Sequence, residues 1–212
     1  MFKVDLHVHS VLGGDAATLP EEVVPNARQA GLDGVCITEH HDHGLSQPFD
    51  AIACSTAFPI FRGMEYRAEE GHLLVFGVAA GRSDLWPDLP MQQAIDWVNR
   101  KGGVAVPAHP FQTGFLGQCL GKRVLQLEHL VALETINASA TSEENRLARQ
   151  AAEQLGIAGI GGSDAHGPGA IGRAYTSFSA PLRTNADLVA ALRNGRYAAC
   201  VNNHWRPRFK ST

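Results

Sequence analysis

Phe2-Lys3-Val4-Asp5-Leu6-His7-Val8-His9 alternates without a break. A strand sends successive side chains to opposite faces. Phe2, Val4, Leu6 and Val8 therefore fall on one side, and Asp5, His7 and His9 on the other. His7 and His9 point the same way and could share one ion. Taken alone, the pair reads equally well as two polar residues at a strand end.

Further short strands follow at residues 34–38, 59–66, 72–78, 104–106, 131–135, 157–160, 175–178 and 197–201, with a turn near Gly71 joining the third and fourth strands of the chain. Helical patterns lie between many of them. Thr18-Leu19-Pro20-Glu21 resembles a capped helix start and Gly31 a stop, with Pro25 an awkward residue that delays or bends the helix. Met91, Ala94, Ile95 and Val98 form an apolar stripe that ends at Gly102 and Gly103. Thr141-Ser142-Glu143-Glu144 is a capping box; it opens a helix with Leu147, Ala148, Ala151 and Leu155 on one face and Gly156 as its stop. Residues 187–192 make the last helix. Strands alternating with helices predict an α/β fold with a mostly parallel sheet, closed or nearly closed into a barrel. The 212 residues fall short of the ~250 typical of eight full units, so the expected form is a small or distorted barrel. No repeat, low-complexity tract or linker divides the chain, which reads as a single domain over 1–212.

Composition narrows the function. With 44% hydrophobic residues, 18% charged residues and a net charge of -3, the chain can build a core and lacks the clustered Lys and Arg needed to track long nucleic acid. A short nucleotide or a strand end stays compatible with these numbers. The basic residues 204–210 read as a solvated terminus. Cys36, Cys54, Cys119 and Cys200 form no C-x-x-C pair, which predicts reduced thiols and a cytoplasmic setting. No apolar run is long enough to span a bilayer, and the N-terminus lacks a signal-peptide pattern. Oligomeric state is left open.

Ten histidines stand out. His40 follows the second strand, Glu65 ends the third, His72 begins the fourth and His109 follows the fifth; Asp164 and His166 follow a later strand, and Asp15 lies in the loop after the first. In a barrel of parallel strands such positions converge on one face. Packing alone explains one histidine at a strand end, but not six with three carboxylates, because unpaired buried charge costs several kcal/mol. Nitrogen and oxygen donors without thiolate suit Zn²⁺, Mn²⁺ or Fe²⁺. Nine donor residues exceed the needs of one tetrahedral ion and predict two or three, with a carboxylate bridging a pair. Among the other histidines, His43 is a candidate for substrate contact or proton transfer, with Asp42 beside it. Side-chain direction makes His41 the weaker candidate, and His129 reads as structural.

Asp5-Leu6-His7-Val8-His9-Ser10, Thr38-Glu39-His40, Gly63-Met64-Glu65, His109-Pro110 and Gly162-Ser163-Asp164-Ala165-His166 resemble, in order, the motif set of the PHP (polymerase and histidinol phosphatase) family. The resemblance runs from Asp5 to about Tyr175. It implies a distorted (β/α)7 TIM-like barrel, a polynuclear metal site and phosphoesterase activity, with a metal-bound hydroxide attacking phosphorus. It implies one ion on His7, His9, Glu65 and Asp164, a second on Glu65, His72 and His109, and a third on Asp15, His40 and His166, with Glu65 as the bridge. The second motif usually reads Thr-Asp-His. Glu39 stands in place of that Asp, which implies an altered partner shell around an intact His40. The close spacing of Glu65 and His72 resembles a small branch acting on nucleoside monophosphates or oligonucleotide ends, although the inserted domain common in that branch has no room here.

Glu134 and Asn137 match positions near the pocket in the family, and either could equally be a polar residue at a strand end. Arg67 and Arg173 are the candidates for binding a substrate phosphate, since Arg suits bidentate phosphate contact. The expected partner is a small phosphorylated substrate.

Two other functions compete. Amidohydrolase barrels also begin with H-x-H and cleave C–N or C–O bonds, many with a carboxylated lysine as bridge. Here Lys3, Lys101, Lys122 and Lys210 are the only lysines and none ends a predicted strand, although Glu65 could bridge instead. A metal-stabilised accessory domain without catalysis is the third reading; no polymerase segment is evident, and the ligand set looks complete.

Overall fold

The computed structural model describes residues 1–113 and 119–203; the basic segment from residue 204 lies outside them. The elements are β1 (Phe2–Val8), α1 (Pro20–Gln29), β2 (Gly34–Ile37), α2 (Phe49–Thr56), β3 (Ile60–Arg67), β4 (His72–Phe76), α3 (Met91–Arg100), β5 (Val104–Pro107), β6 (Ala132–Asn137), α4 (Ser142–Leu155), β7 (Ala158–Gly162), β8 (Ala174–Phe178), α5 (Asn185–Asn194) and β9 (Tyr197–Val201).

Thr141 and Thr184 cap α4 and α5 by accepting from the N–H of Glu144 and Asp187, and Gly156 and Gly195 close those helices in the left-handed conformation. The start of α1 differs from expectation. Leu19 is the N-cap residue, and the Glu22 carboxylate accepts from its N–H at 3.0 Å. The helix begins at Pro20 and contains Pro25, so this proline does not delay it. The sequence pattern misses α2, which is short and enters from Pro48 with no polar cap.

The strands make a seven-stranded sheet ordered β5-β4-β3-β2-β1-β8-β9 and a separate β6-β7 pair. The fold is α/β as expected, and the larger sheet curls into a half-barrel, consistent with a distorted TIM barrel but not a closed one. The expectation of a mostly parallel sheet fails. β1-β2, β2-β3 and β6-β7 are parallel, whereas β3-β4, β4-β5, β1-β8 and β8-β9 are antiparallel. Hydrophobic periodicity reports which residues lie in strands but not which way a strand runs. A helix between two strands, as α3 between β4 and β5, suggests a parallel crossover from sequence, but this one returns an antiparallel partner.

Strand direction decides where the chemistry gathers. β4 runs against β3 and β5, so the start of β4 lies at the same sheet edge as the end of β3 and the end of β5. Val4 and Leu6 pack with Leu74, Val106, Ile160 and Phe178, while Val35 and Ile37 pack on Val23, Val24 and Ala27 of α1. The β6-β7 pair is held against the larger sheet by close backbone approach. A Cβ on Gly161 would lie 2.6 Å from the Tyr175 carbonyl oxygen, and one on Gly162 would lie 2.4 Å from Cβ of His7. The buried Asp5 carboxylate ties the same parts together by accepting from the N–H groups of Ser163 and Gly172 at 2.8 Å. Burial pushes the Asp5 carboxyl up to about 6, against the lowering effect of these bonds.

Candidate metal centre

β1 delivers His7 and leads directly into His9, both fully buried, and β3 delivers Glu65, which is 1% exposed. Glu65 is the hub. Its Oε2 lies 3.2 Å from Nε2 of both His7 and His9 and 3.4 Å from His40 Nδ1. Its Oε1 lies 2.8 Å from His72 Nδ1 and 3.0 Å from His109 Nε2. The two oxygens of one carboxylate thus face two different sets of imidazoles. Asp164, after β7, brings Oδ1 to 3.4 Å from His7 Nε2 and 3.5 Å from His9 Nε2. Asp15 Oδ2 lies 2.9 Å from His40 Nε2 and 3.4 Å from His166 Nε2.

Three groups could each hold an ion, with donor atoms within 4.8 Å of one another: His7, His9, Glu65 and Asp164; Glu65, His72 and His109; and His9, Asp15, His40 and His166. All nine residues singled out from the sequence are brought together. His109 (φ 27°) and Asp164 (φ 52°) adopt left-handed backbone. A non-glycine residue carries some strain there, and such residues collect at functional sites.

The residues fit divalent cations. His7 Nε2 and both ring nitrogens of His9 are buried without a hydrogen-bond partner, although carboxylate oxygens stand close by. The Nε2 atoms of His7 and His9 face the same two oxygens, Glu65 Oε2 and Asp164 Oδ1, as ligands of one ion do. Burial alone would lower the His7 pKa, but Asp164, Glu65 and Glu134 outweigh it and hold the ring well above its ordinary value. His9 rises likewise to about 9, through Asp164 and Glu65 against burial. Burial would raise the Glu65 carboxyl, yet His7, His72 and His109 hold it well below the usual range. A cluster that must protonate its imidazoles to balance its carboxylates is one that a cation can balance instead.

An outer layer supports the inner one. The Glu134 carboxylate, 1% exposed, faces His7 Nδ1 at 3.0 Å and accepts from the His109 N–H at 2.7 Å and from Asn137 Nδ2 at 3.1 Å. It therefore touches residues from two of the groups, which favours the pocket over the plain strand end among the two readings left open for Glu134 and Asn137. Glu134→Gln is expected to weaken metal binding roughly 10–100-fold while the fold persists, as removal of such partners generally does. Competition against a chromophoric chelator would measure this, and an unchanged affinity would refute the orienting role.

Other candidates lie elsewhere. The segment carrying His43 is a 3-10 turn, His43–Ser46, tied down by Arg62. Arg62 donates to Ser46 Oγ at 3.0 Å, to Asp50 at 2.7 Å and to the His43 carbonyl at 2.9 Å, and its Nη2 lies 3.3 Å from the His43 ring. Asp42 caps that turn by accepting from the Gly44 N–H at 2.7 Å. Neither His43 nor Asp42 lines the cavity beside the centre, and both take part in this turn. Arg67 does line that cavity, whereas Arg173 lines a second one between β6, α4 and the end of β9. His129 is exposed and sits 3.3 Å from Asp96, outside the three groups. Leu120, Cys119 and Gln112, which form part of the cavity wall, carry no signal in the sequence because a loop approaches the site only in three dimensions.

The PHP domain profile matches residues 5–98, and the PHP-associated profile matches residues 142–197. The chain belongs to the PHP family. Among solved structures, this PHP chain is similar to PsfC of Pseudomonas syringae, at 18% identity over 95% of this chain and 92% of that one, with a TM-score of 0.69. It is similar to a candidate metal-dependent phosphoesterase of Bifidobacterium adolescentis, at 19% identity over 91% and 96%, TM-score 0.66. It is also similar to an amidohydrolase of Chromobacterium violaceum with bound sulfate and no metal, at 18% identity over 95% and 98%, TM-score 0.63. At these identities the likeness shows the PHP fold. No curated protein matches the sequence. No helix among the described residues is long and apolar enough to cross a membrane. Family and side-chain cluster together support a metal-dependent hydrolase.

Proposed function

We propose that this PHP-family chain hydrolyses phosphate esters of a small substrate at a centre of two or three divalent ions drawn from Zn, Mn and Fe. One observation carries the reading: the buried Glu65 carboxylate divides its oxygens between His7, His9 and His40 on one side and His72 and His109 on the other. That is the disposition of a bridging ligand, and paired ions suit in-line displacement at phosphorus. His7, His9, Glu65 and Asp164 would hold one ion, Glu65, His72 and His109 another, and Asp15, His40 and His166 a third. When bound, such ions acidify water towards neutrality and offset the charge that builds on the phosphoryl oxygens.

The chain's own groups do the rest. A cavity of about 320 Å³ opens beside the centre, with Arg67, Ala68, Pro110 and Leu120 in its wall, a size suited to a small organic phosphate. Arg67 Nε and Nη2 donate to the two Asp88 oxygens at 2.8 Å each. This pair fixes the guanidinium plane and leaves Nη1 for a phosphate oxygen. Arg67→Ala is expected to raise KM roughly 10–100-fold, the worth of one charge-assisted hydrogen bond, with metal content unchanged. Steady-state kinetics with metal analysis on the same sample would test it, and an unaltered KM would remove Arg67 from substrate binding.

The reading as a whole is tested with protein loaded separately with Mn²⁺, Zn²⁺ and Fe²⁺ and assayed on phosphomonoesters and phosphodiesters. Release of phosphate or alcohol from some of them is expected; a metal-replete chain inert on the entire panel would overturn it.

The likeness to the Chromobacterium amidohydrolase favours keeping a C–N or C–O hydrolase as second reading. Against it, no lysine among the described residues lines the cavity: the ammonium groups of Lys3 and Lys101 lie over the rings of Tyr175 and Trp97. Turnover of dipeptides or lactones exceeding that of phosphoesters would favour it.

A further inference from the structure

Glu39 is fully buried, yet it is absent from the three ion-holding groups. Both its oxygens accept from the Ser10 N–H, at 3.1 and 3.3 Å, and Oε1 also accepts from the Ser10 hydroxyl. Ser10 is the pivot of the loop after β1. Its carbonyl accepts from the Gly13 N–H at 3.1 Å and its Oγ from the Leu12 N–H at 3.3 Å. Two residues beyond Gly13 the loop delivers Asp15, whose side chain is 41% exposed and so depends on the loop to hold it at His40 and His166. Glu39 Oε2 also stands 4.0 Å from Nδ1 of His9, the far side of a ring that serves two of the groups.

Gly13 makes this arrangement possible. A Cβ there would lie 2.3 Å from Glu39 Oε2. The glutamate reaches Ser10 only because residue 13 has no side chain.

We infer that Glu39 is a positioning residue which, through Ser10 and in the space left by Gly13, sets the loop that carries Asp15 into the group His9, Asp15, His40 and His166. This rests on the reading of the cluster as a metal centre. It predicts which part of that centre Glu39 controls: the outer, solvent-facing group, and not the pair of groups that share Glu65.

The test is metal content and affinity, by elemental analysis and chelator competition with Mn²⁺ or Zn²⁺, on wild type, Glu39→Ala, Glu39→Gln, Gly13→Ala and the double variant Gly13→Ala with Glu39→Ala. Glu39→Ala and Gly13→Ala are each expected to weaken the most loosely held ion roughly 10–100-fold while the tighter ions stay. Glu39→Gln keeps an acceptor of the same reach and should retain most of that affinity. A Cβ at residue 13 would also lie 3.3 Å from Asp15 Oδ1, so Gly13→Ala could act on Asp15 directly. The double variant separates the routes: with Glu39 already truncated, adding Gly13→Ala should cost nothing more. Additive losses, or wild-type affinity in Glu39→Ala, would overturn the inference. Should Glu39→Ala fail to fold, Glu39→Asp, whose shorter side chain cannot reach Ser10, takes its place in both the single and the double variant, with the same outcomes deciding. A wild-type chain that takes up no metal at all would instead refute the metal-centre reading itself.

Discussion

Glu65→Gln is expected to strip the centre of most of its metal and to lower turnover of any accepted phosphoester by roughly 10³-fold or more, a loss of the kind seen when one member of a cooperating catalytic set is removed. Oε2 faces His7, His9 and His40, and Oε1 faces His72 and His109. An amide keeps one ligating oxygen and turns an NH₂ towards the other set, where it has no lone pair to offer a cation. Both groups that share Glu65 should therefore fail together, unlike His72→Ala, which touches only one. The change also removes the carboxylate that balances the surrounding rings, and breaking a buried charge cluster of this kind costs about 3–5 kcal/mol. Ion stoichiometry and kcat measured on one preparation would decide. A Gln variant with a full complement of metal would show that Glu65 does not bridge.

Chelation is the second large effect. Ions that bind only the folded chain stabilise it by about 4 kcal/mol each at a thousandfold excess over Kd. In a chain of this length that corresponds to a fall in Tm of roughly 8–16 °C per ion removed, regained on adding Mn²⁺, Zn²⁺ or Fe²⁺. The metal-free protein should also acquire a pH dependence. Without ions, His9 is held near 9 against an ordinary 6.5, so the stability it contributes is whole below 6.5 and lost as pH rises through about 9. Glu65 and Asp164, held below the usual carboxylate range, contribute in the opposite sense, and their share is lost as pH falls. Thermal melts of chelated protein should accordingly weaken on both sides of mildly acidic pH, with the alkaline loss suppressed by metal. A Tm indifferent to chelator would contradict a resident metal centre.

Much of this is legible in the chain. The alternation at Phe2–Val8 places Asp5 and His7 on one face, the capping box at Thr141 governs a real helix start, and the nine donor residues meet. What the chain leaves unannounced shares a cause. α2 lacks both a polar cap and a clear apolar stripe, so no local signal announces it. The turn at His43 and its tie to Arg62 of β3 likewise depend on packing that no local pattern announces. Arg173 and Arg67 are indistinguishable as letters, and the path of the chain sends one to a different cavity.

The order of amino acids is enough to establish the chemistry: which donors exist, that they are nitrogen and oxygen, and that they recur beside strands. Those properties are local, belonging to side-chain type and to the twofold period of a strand. Three-dimensional packing alone settles that the sheet stays open, that β4 runs backwards and so brings His72 at its start to the edge where β3 and β5 end, and that Glu134 meets His7, and Glu39 meets Ser10, from far along the chain. Strand direction and long-range hydrogen bonds depend on what packs against what, and no local pattern encodes that.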